Sequence, residues 1–289
     1  MSDRAEGGQV TVAPSGPRNR RPGPGVPIGL ALAVGFVVLL VAIGIFAPLI
    51  APYDPLKQDL AHALAGPSLA HPLGLDYVGR DLLSRLIWGA RPTLIGTAIA
   101  VATASVLGIP WGLLAGYAGG MADLVLMRIA DAFLVFPGLI LALTLTSALG
   151  PSQTSTMISV GVVFAPVLAR VVRAGVIRVR HLDYVSITRL YGLSPWYRMT
   201  RHVLPNAMAP AIVQITIITG ISVLAQTSLN FLGFGVPNPQ PSWGSSVAET
   251  FRYIVITPQA AVAPGVAVGL TVLSIYRIGD AFRDRLDVT

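Results

Sequence analysis

The sequence predicts an all-α polytopic membrane protein with six transmembrane helices, and three observations lead there. Hydrophobic residues fill 53% of the 289 positions and charged residues only 11%, against about 25% charged in an ordinary soluble domain. Apolar stretches recur at the length a helix needs to cross about 30 Å of hydrocarbon, roughly 20 residues. The basic residues, all Arg except Lys57, gather in the interruptions between those stretches. Taken alone, the formal net charge of +7 suggests nucleic acid, but basic residues confined to span ends are a topology signal, so no nucleic-acid partner is expected. The absence of Cys excludes disulfides, thiolate metal sites and a cysteine nucleophile.

Residues 1–27, containing "SGPRNRRPGPG", have almost no apolar content and read as a disordered cytoplasmic tail. The run 28–50 is too long for a signal-peptide core and reads as an uncleaved first span. Residues 51–91 are polar and read as an external loop. Five more spans are expected near 93–116, 124–147, 156–177, 207–229 and 254–276, making one domain over 92–277 followed by a cytoplasmic tail, 278–289.

Orientation follows from Arg placement. Arg18, Arg20 and Arg21 precede the first span; Arg170, Arg173, Arg178, Arg180, Arg189, Arg198 and Arg201 lie between the fourth and fifth; Arg277, Arg283 and Arg285 follow the sixth. With six spans these segments share one side, so both termini are expected in the cytoplasm. Lys57, Arg80, Arg85 and Arg91 run against that pattern, and their loop is kept outside because the other three segments agree.

Within the spans, Gly108, Gly112, Gly116 and Gly120 recur every fourth residue and predict a face for close helix packing. Pro110, Pro137, Pro166, Pro210 and Pro264 predict kinks.

The stretch "DYVSITRLYGLSPWYRMTRHVLPN" is too rich in Arg to be a span, because each Arg at a bilayer centre costs about 2.5–3.5 kcal/mol. Asp183 is expected to cap a helix of about two turns that Gly192 ends, with Ser194 and Pro195 restarting one as cap and first residue. Tyr184, Ile187 and Tyr191 form an apolar stripe at i, i+3, i+7. A helix this short is marginal alone, and the stripe fits either the protein's own membrane surface or another protein's groove.

The same stretch resembles the coupling loop of permease subunits of binding-protein-dependent ABC importers, whose pattern is Glu-Ala-Ala, three residues, Gly, nine residues, then Ile-x-Leu-Pro. Gly192 and the pair Leu204-Pro205 match at the right distance, whereas Ser186, Ile187 and Thr188 stand at the Glu-Ala-Ala positions and His202 replaces Ile. "HPLGLDYVGRDLLSRLIWGARPTL", "LNFLGFGVPNPQPSWG" and "IGDAFRDRLD" are similar to further segments of the "C" permease of dipeptide and oligopeptide importers. The resemblance covers nearly everything after residue 28.

It implies the type I importer permease fold, with a coupling loop over 178–205 whose Asp183, Tyr184, Ser186, Ile187, Thr188, Arg189, Tyr191, Gly192 and Pro205 meet an ATPase. It also implies a bacterial cytoplasmic-membrane subunit that pairs with a homologous second permease and binds two cytoplasmic ATPase subunits. An external binding protein would deliver the peptide, and the chain would form half of the path through the lipid. Systems of similar appearance carry nickel or haem.

No phosphate-binding G-x-x-x-x-G-K-[ST], H-E-x-x-H or G-x-S-x-G is present, and the four His are scattered, so neither enzyme chemistry nor a cofactor nor a metal is expected. Arg128 and Asp131, at i, i+3 in the third span, read either as a structural ion pair or as the relay of a secondary transporter driven by an ion gradient. Gln214, Gln226 and Asn230 either face a path or bond between helices.

Overall fold

In the computed structural model, the structure describes residues 28–286, and of Arg189 and Leu190 the backbone alone. The expected tail 1–27 and the last three residues of the chain lie outside the described residues. Ten α-helices follow in order: α1 Ile28–Ile50, α2 Leu82–Ala118, α3 Gly120–Val135, α4 Gly138–Leu149, α5 Gln153–Arg180, α6 Asp183–Leu190, α7 Pro195–Arg198, α8 Leu204–Phe231, α9 Trp243–Thr250 and α10 Gln259–Leu286. Among the described residues α1, α2, α5, α8 with its lead-in, and α10 are long and apolar enough to cross a membrane, and α3 with α4 passes the same test only as a bent pair, which would bring the number to six.

The third span is where the structure departs most from a single helix over 124–147. It breaks at Pro137 into two helices bent by 95°. Proline has no N–H to donate and disfavours helical geometry in the residue before it, and Phe136 is accordingly extended, at φ −80° and ψ 139°. The second departure is α2, which starts at Leu82 and so converts the last turns of the expected 51–91 loop into helix. Asp81 makes this possible by accepting a hydrogen bond from the Ser84 N–H.

The packing centre is α2 against α5. Three of the four ladder glycines are its cause: a Cβ at Gly108 would lie 2.7 Å from the Ala165 carbonyl oxygen, and one at Gly112 would lie 2.2 Å from that of Ala169, whereas Gly120 falls outside α2, as the first residue of α3 at φ +54° with nothing packed on it, because the helix breaks at Gly119. Beside Gly116 the same atom would meet the Val176 side chain at 2.8 Å. No larger residue fits without separating the helices. Around this seam Leu113, Leu168, Val172, Val176, Val203 and Ala207 form the main buried cluster, which joins α2, α5 and α8. A second cluster joins α1, α2, α8, α9 and α10 through Leu40, Ala90, Val223, Trp243 and Val268. Several faces of α1, α3, α4 and α10 stay apolar and exposed, with Leu32, Val38, Val135, Ile140 and Leu273 among them, as surfaces bathed by lipid or a partner should be.

Candidate functional site

Two groups of residues stand out, one at each end of the bundle. The arginine-rich end holds the α5–α8 connection. Asp183 is the first helical residue of α6 and not its cap, because the Leu182 carbonyl accepts from the N–H groups of Val185 and Ser186. Gly192 takes φ +71°, open to glycine at no steric cost, and ends the helix. Ser194 then caps α7 by accepting from the Tyr197 N–H, with Pro195 in the first turn. One π-turn, Met199–Val203, joins α7 to α8, and Pro205 sits in the first turn of α8.

Among the described side chains of α6, one apolar anchor holds the helix on the bundle. Val185 is buried in the main cluster with Val179, Met199 and Val203, worth about 1.5–3 kcal/mol for a side chain of this size. Tyr184 adds one hydroxyl bond, to the His202 carbonyl at 3.3 Å. The other side of the helix is bare: Tyr184, Ile187 and Tyr191 are 39%, 48% and 81% exposed. Ser186 is exposed beside them, and Thr188 spends its hydroxyl on the Val185 carbonyl at 2.6 Å. The predicted stripe therefore exists and points away from the chain's own core. The Arg189 side chain lies outside the described residues.

The loop end gathers charges that sequence reading left as a balanced loop. Arg80 reaches Asp76 at 2.6 Å and Glu249 at 2.5 Å, while Arg85 reaches the same Glu249 at 3.1 Å and lies 3.8 Å from Asp76. Asp76, Arg80 and Arg85 are almost wholly buried. Burial works against the Arg80 charge, but Asp76 and Glu249 outweigh it and raise its pKa above the usual arginine value. Arg85 also donates towards the Pro55 carbonyl at 3.4 Å. Asp81 bonds His71 at 2.9 Å and the Ser84 hydroxyl at 2.6 Å. Trp243 donates to the Leu86 carbonyl at 2.9 Å and packs on Gly89. The segments 51–81 and 232–253 are thus locked to each other across the top of α2. Asp76 and Arg80 at i, i+4 carried a local signal, but Glu249, 169 residues beyond Arg80, carried none.

The remaining candidates divide. Arg128 and Asp131 approach only to 3.9 Å with both side chains well exposed, and the hydrogen-bonded partner of Asp131 is Arg170 on α5. One helical turn of α5 further on, Arg173 takes both oxygens of Asp123 at 2.5 Å. The cross-helix pairs win because a guanidinium reaching from α5 can present its N–H groups to the carboxylate, as Arg173 does with Nε and Nη2, whereas i, i+3 neighbours must bend back along α3. Gln226 is buried and donates to the Pro92 carbonyl at 2.8 Å, as does Gln153 at 2.6 Å, which knots α2, α5 and α8. Asn230 is buried too, its side-chain oxygen accepting from the Val236 N–H at 3.0 Å. Both serve as bonds between segments. Gln214 is half-buried.

Residues 108–288 match the family described as "Binding-protein-dependent transport system inner membrane component", and residues 31–67 match "N-terminal TM domain of oligopeptide transport permease C". Among curated proteins, the glutathione transport system permease protein GsiD of Pectobacterium atrosepticum is 37% identical, over 89% of this chain and 86% of that protein. The probable D,D-dipeptide transport system permease protein DdpC of Escherichia coli K12 is 36% identical, over 91% and 88%. The di/tripeptide transport system permease protein DppC of Pseudomonas aeruginosa is 40% identical, over 87% and 85%. Among solved structures, the MetNI methionine ABC transporter in an inward-facing conformation superposes with a TM-score of 0.59 at 19% identity, covering 70% of this chain and 96% of that one. At that identity the likeness is one of fold.

Proposed function

The chain belongs to the family of binding-protein-dependent transport system inner membrane components, and from that premise we propose that it forms half of the path by which an ATP-driven importer takes up small peptides. It is a multi-pass permease subunit, and the secondary-transporter alternative falls away with the family. The named relatives handle dipeptides, tripeptides or glutathione, which supports a short peptide as the solute in preference to nickel or haem. A homologous permease completes the path, an external binding protein supplies the peptide, and two ATPase subunits dock from the cytoplasm. In this reading the arginine-rich end and both termini are cytoplasmic, and the coupling loop is 178–205.

The observation that carries the ATPase contact is the bare face of α6. A helix of eight residues with one buried anchor keeps Ile187 and two tyrosines uncovered, and burying that stripe in a groove would supply the apolar area the helix lacks alone. Asp183, Ser186 and Gly192 shape the helix, while Tyr184, Ile187 and Tyr191 make the contact. The test is Ile187→Asp, which puts an unpaired charge into the groove at a cost of several kcal/mol. Co-purification of the ATPase subunits and ATP-dependent dipeptide uptake should both be lost while the membrane-inserted chain stays folded. If both survive, α6 is a surface helix with no part in coupling.

A further inference from the structure

We propose that a cavity of about 340 Å³ between the end of α2, the end of α5 and helices α6 and α7 is a binding site for a phosphate-type oxyanion. Tyr117, Arg180, His181, Val185, Ser186 and Arg198 line it. Arg198 is the telling residue: it is 8% exposed, its Nε is buried with no hydrogen-bond partner, and it makes no ion pair with a described carboxylate. Arg180 is held rigidly, with Nη1 on the Gly116 carbonyl at 2.6 Å and the Tyr117 carbonyl at 3.3 Å, and Nε on the His181 Nε2 at 3.1 Å. Those acceptors are neutral, so they orient the guanidinium and leave its charge in place.

Among the described residues no carboxylate forms an ion pair with Arg180 or Arg198. Asp123, the acid whose field reaches Arg180, commits both oxygens to Arg173. Two guanidiniums therefore share a wall with no hydrogen-bonded carboxylate among the described residues, and Arg198, the buried one of the two, is strongly unfavourable as an unpaired cation. A tetrahedral oxyanion relieves it, since guanidinium N–H groups match phosphate oxygens and the hydroxyls of Ser186 and Tyr117 add donors. The occupant is either free inorganic phosphate or the headgroup of an anionic lipid, because α2 and α5 are both long and apolar enough to cross a membrane. Bound there, it ties α6 to the α2–α5 pair. The transported solute does not enter this inference.

The test uses the full-length chain in maltoside detergent, with thermal unfolding followed as inorganic phosphate replaces chloride at constant ionic strength. Wild type should gain Tm saturably, and Arg198→Gln should bind phosphate about tenfold or more weakly. Ser186→Glu gives Arg198 an internal carboxylate, so it should melt higher in chloride and ignore phosphate. A second arm adds phosphatidylglycerol. If the lipid raises Tm and abolishes the phosphate response, the headgroup is the occupant; if the response persists, the free anion is. The proposal is overturned if wild type responds to neither, if Arg198→Gln or Ser186→Glu responds like wild type, or if adding ATPase subunits removes the response whatever the lipid, since a partner's carboxylate would then fill the site.

Discussion

The two ends of the bundle treat buried charge in opposite ways. At the loop end Asp76, Arg80, Arg85 and Glu249 satisfy one another, and the segments they join are fixed by the chain alone. At the arginine-rich end the Arg198 Nε is buried with no hydrogen-bond partner among the described residues, and the α6 stripe is uncovered. A region that completes its own pairing is a finished surface, whereas one that leaves a guanidinium and an apolar stripe open is half of a contact. The difference marks the arginine-rich end as the one where the proposed contacts are to be sought.

The all-or-none way to break the comparison is topology. If the two ends face opposite compartments, a reporter active only outside the cell should be silent when fused after Arg180 and active when fused after Pro239. Equal signals would mean that the ends do not lie on opposite sides. The next effect is on stability. Glu249→Gln strips Arg80 and Arg85 of their shared acid, and breaking such a buried pair costs about 3–5 kcal/mol. The yield of monodisperse protein and its Tm should both fall sharply, and an unchanged Tm would show the loop end to be no more self-sufficient than the other.

On the same scale Ile187→Asp should shift the stability of the unassembled chain by about 0.5 kcal/mol or less, the range for exposed positions. A large loss would mean that α6 is packed internally after all. The smallest change is expected from Asp131→Asn. Its pair with Arg170 is roughly half exposed, and exposed pairs are worth about 1 kcal/mol or less. Transport per folded molecule should stay constant, and a folded but inactive variant would make Asp131 a functional group and not a tether between α3 and α5.

Most local signals in the sequence proved readable, Asp183 as a cap and the Arg128–Asp131 pair being the exceptions, and long-range ones did not. The Gly192 stop and the Ser194-Pro195 restart depend on neighbouring residues, and the glycine ladder of α2 is a pattern within one helix; each was visible in the chain itself. The 95° break at Pro137 was foreseen only as a kink, because proline removes one hydrogen bond but the angle depends on what α4 packs against. Asp81, followed three residues later by Ser84, held a capping signal, yet the surrounding charges made the segment look like loop. Gln226 stayed open between a path residue and an interhelical bond because nothing near it in sequence names Pro92 as its partner, 134 positions away. Arg198 looked like any other loop arginine, since its burial follows from how α7 folds under α6.

The seam between α2 and α5 has a mechanical consequence. α2 runs for 37 residues, about 55 Å at 1.5 Å per residue, and its glycines bring its backbone directly onto that of α5 with no compliant layer of side chains between. Such a pair behaves as one strut, because close-packed backbone leaves little room to slide. α5 runs into α6 through His181 and Leu182, so a push on α6 arrives at one end of the strut. α8 meets the same push through the wide π-turn at Met199–Val203, a geometry with looser winding than an α-helix. The two connections of α6 therefore differ in kind: one runs through a two-residue turn into closely packed backbone, and the other reaches α8 through a π-turn.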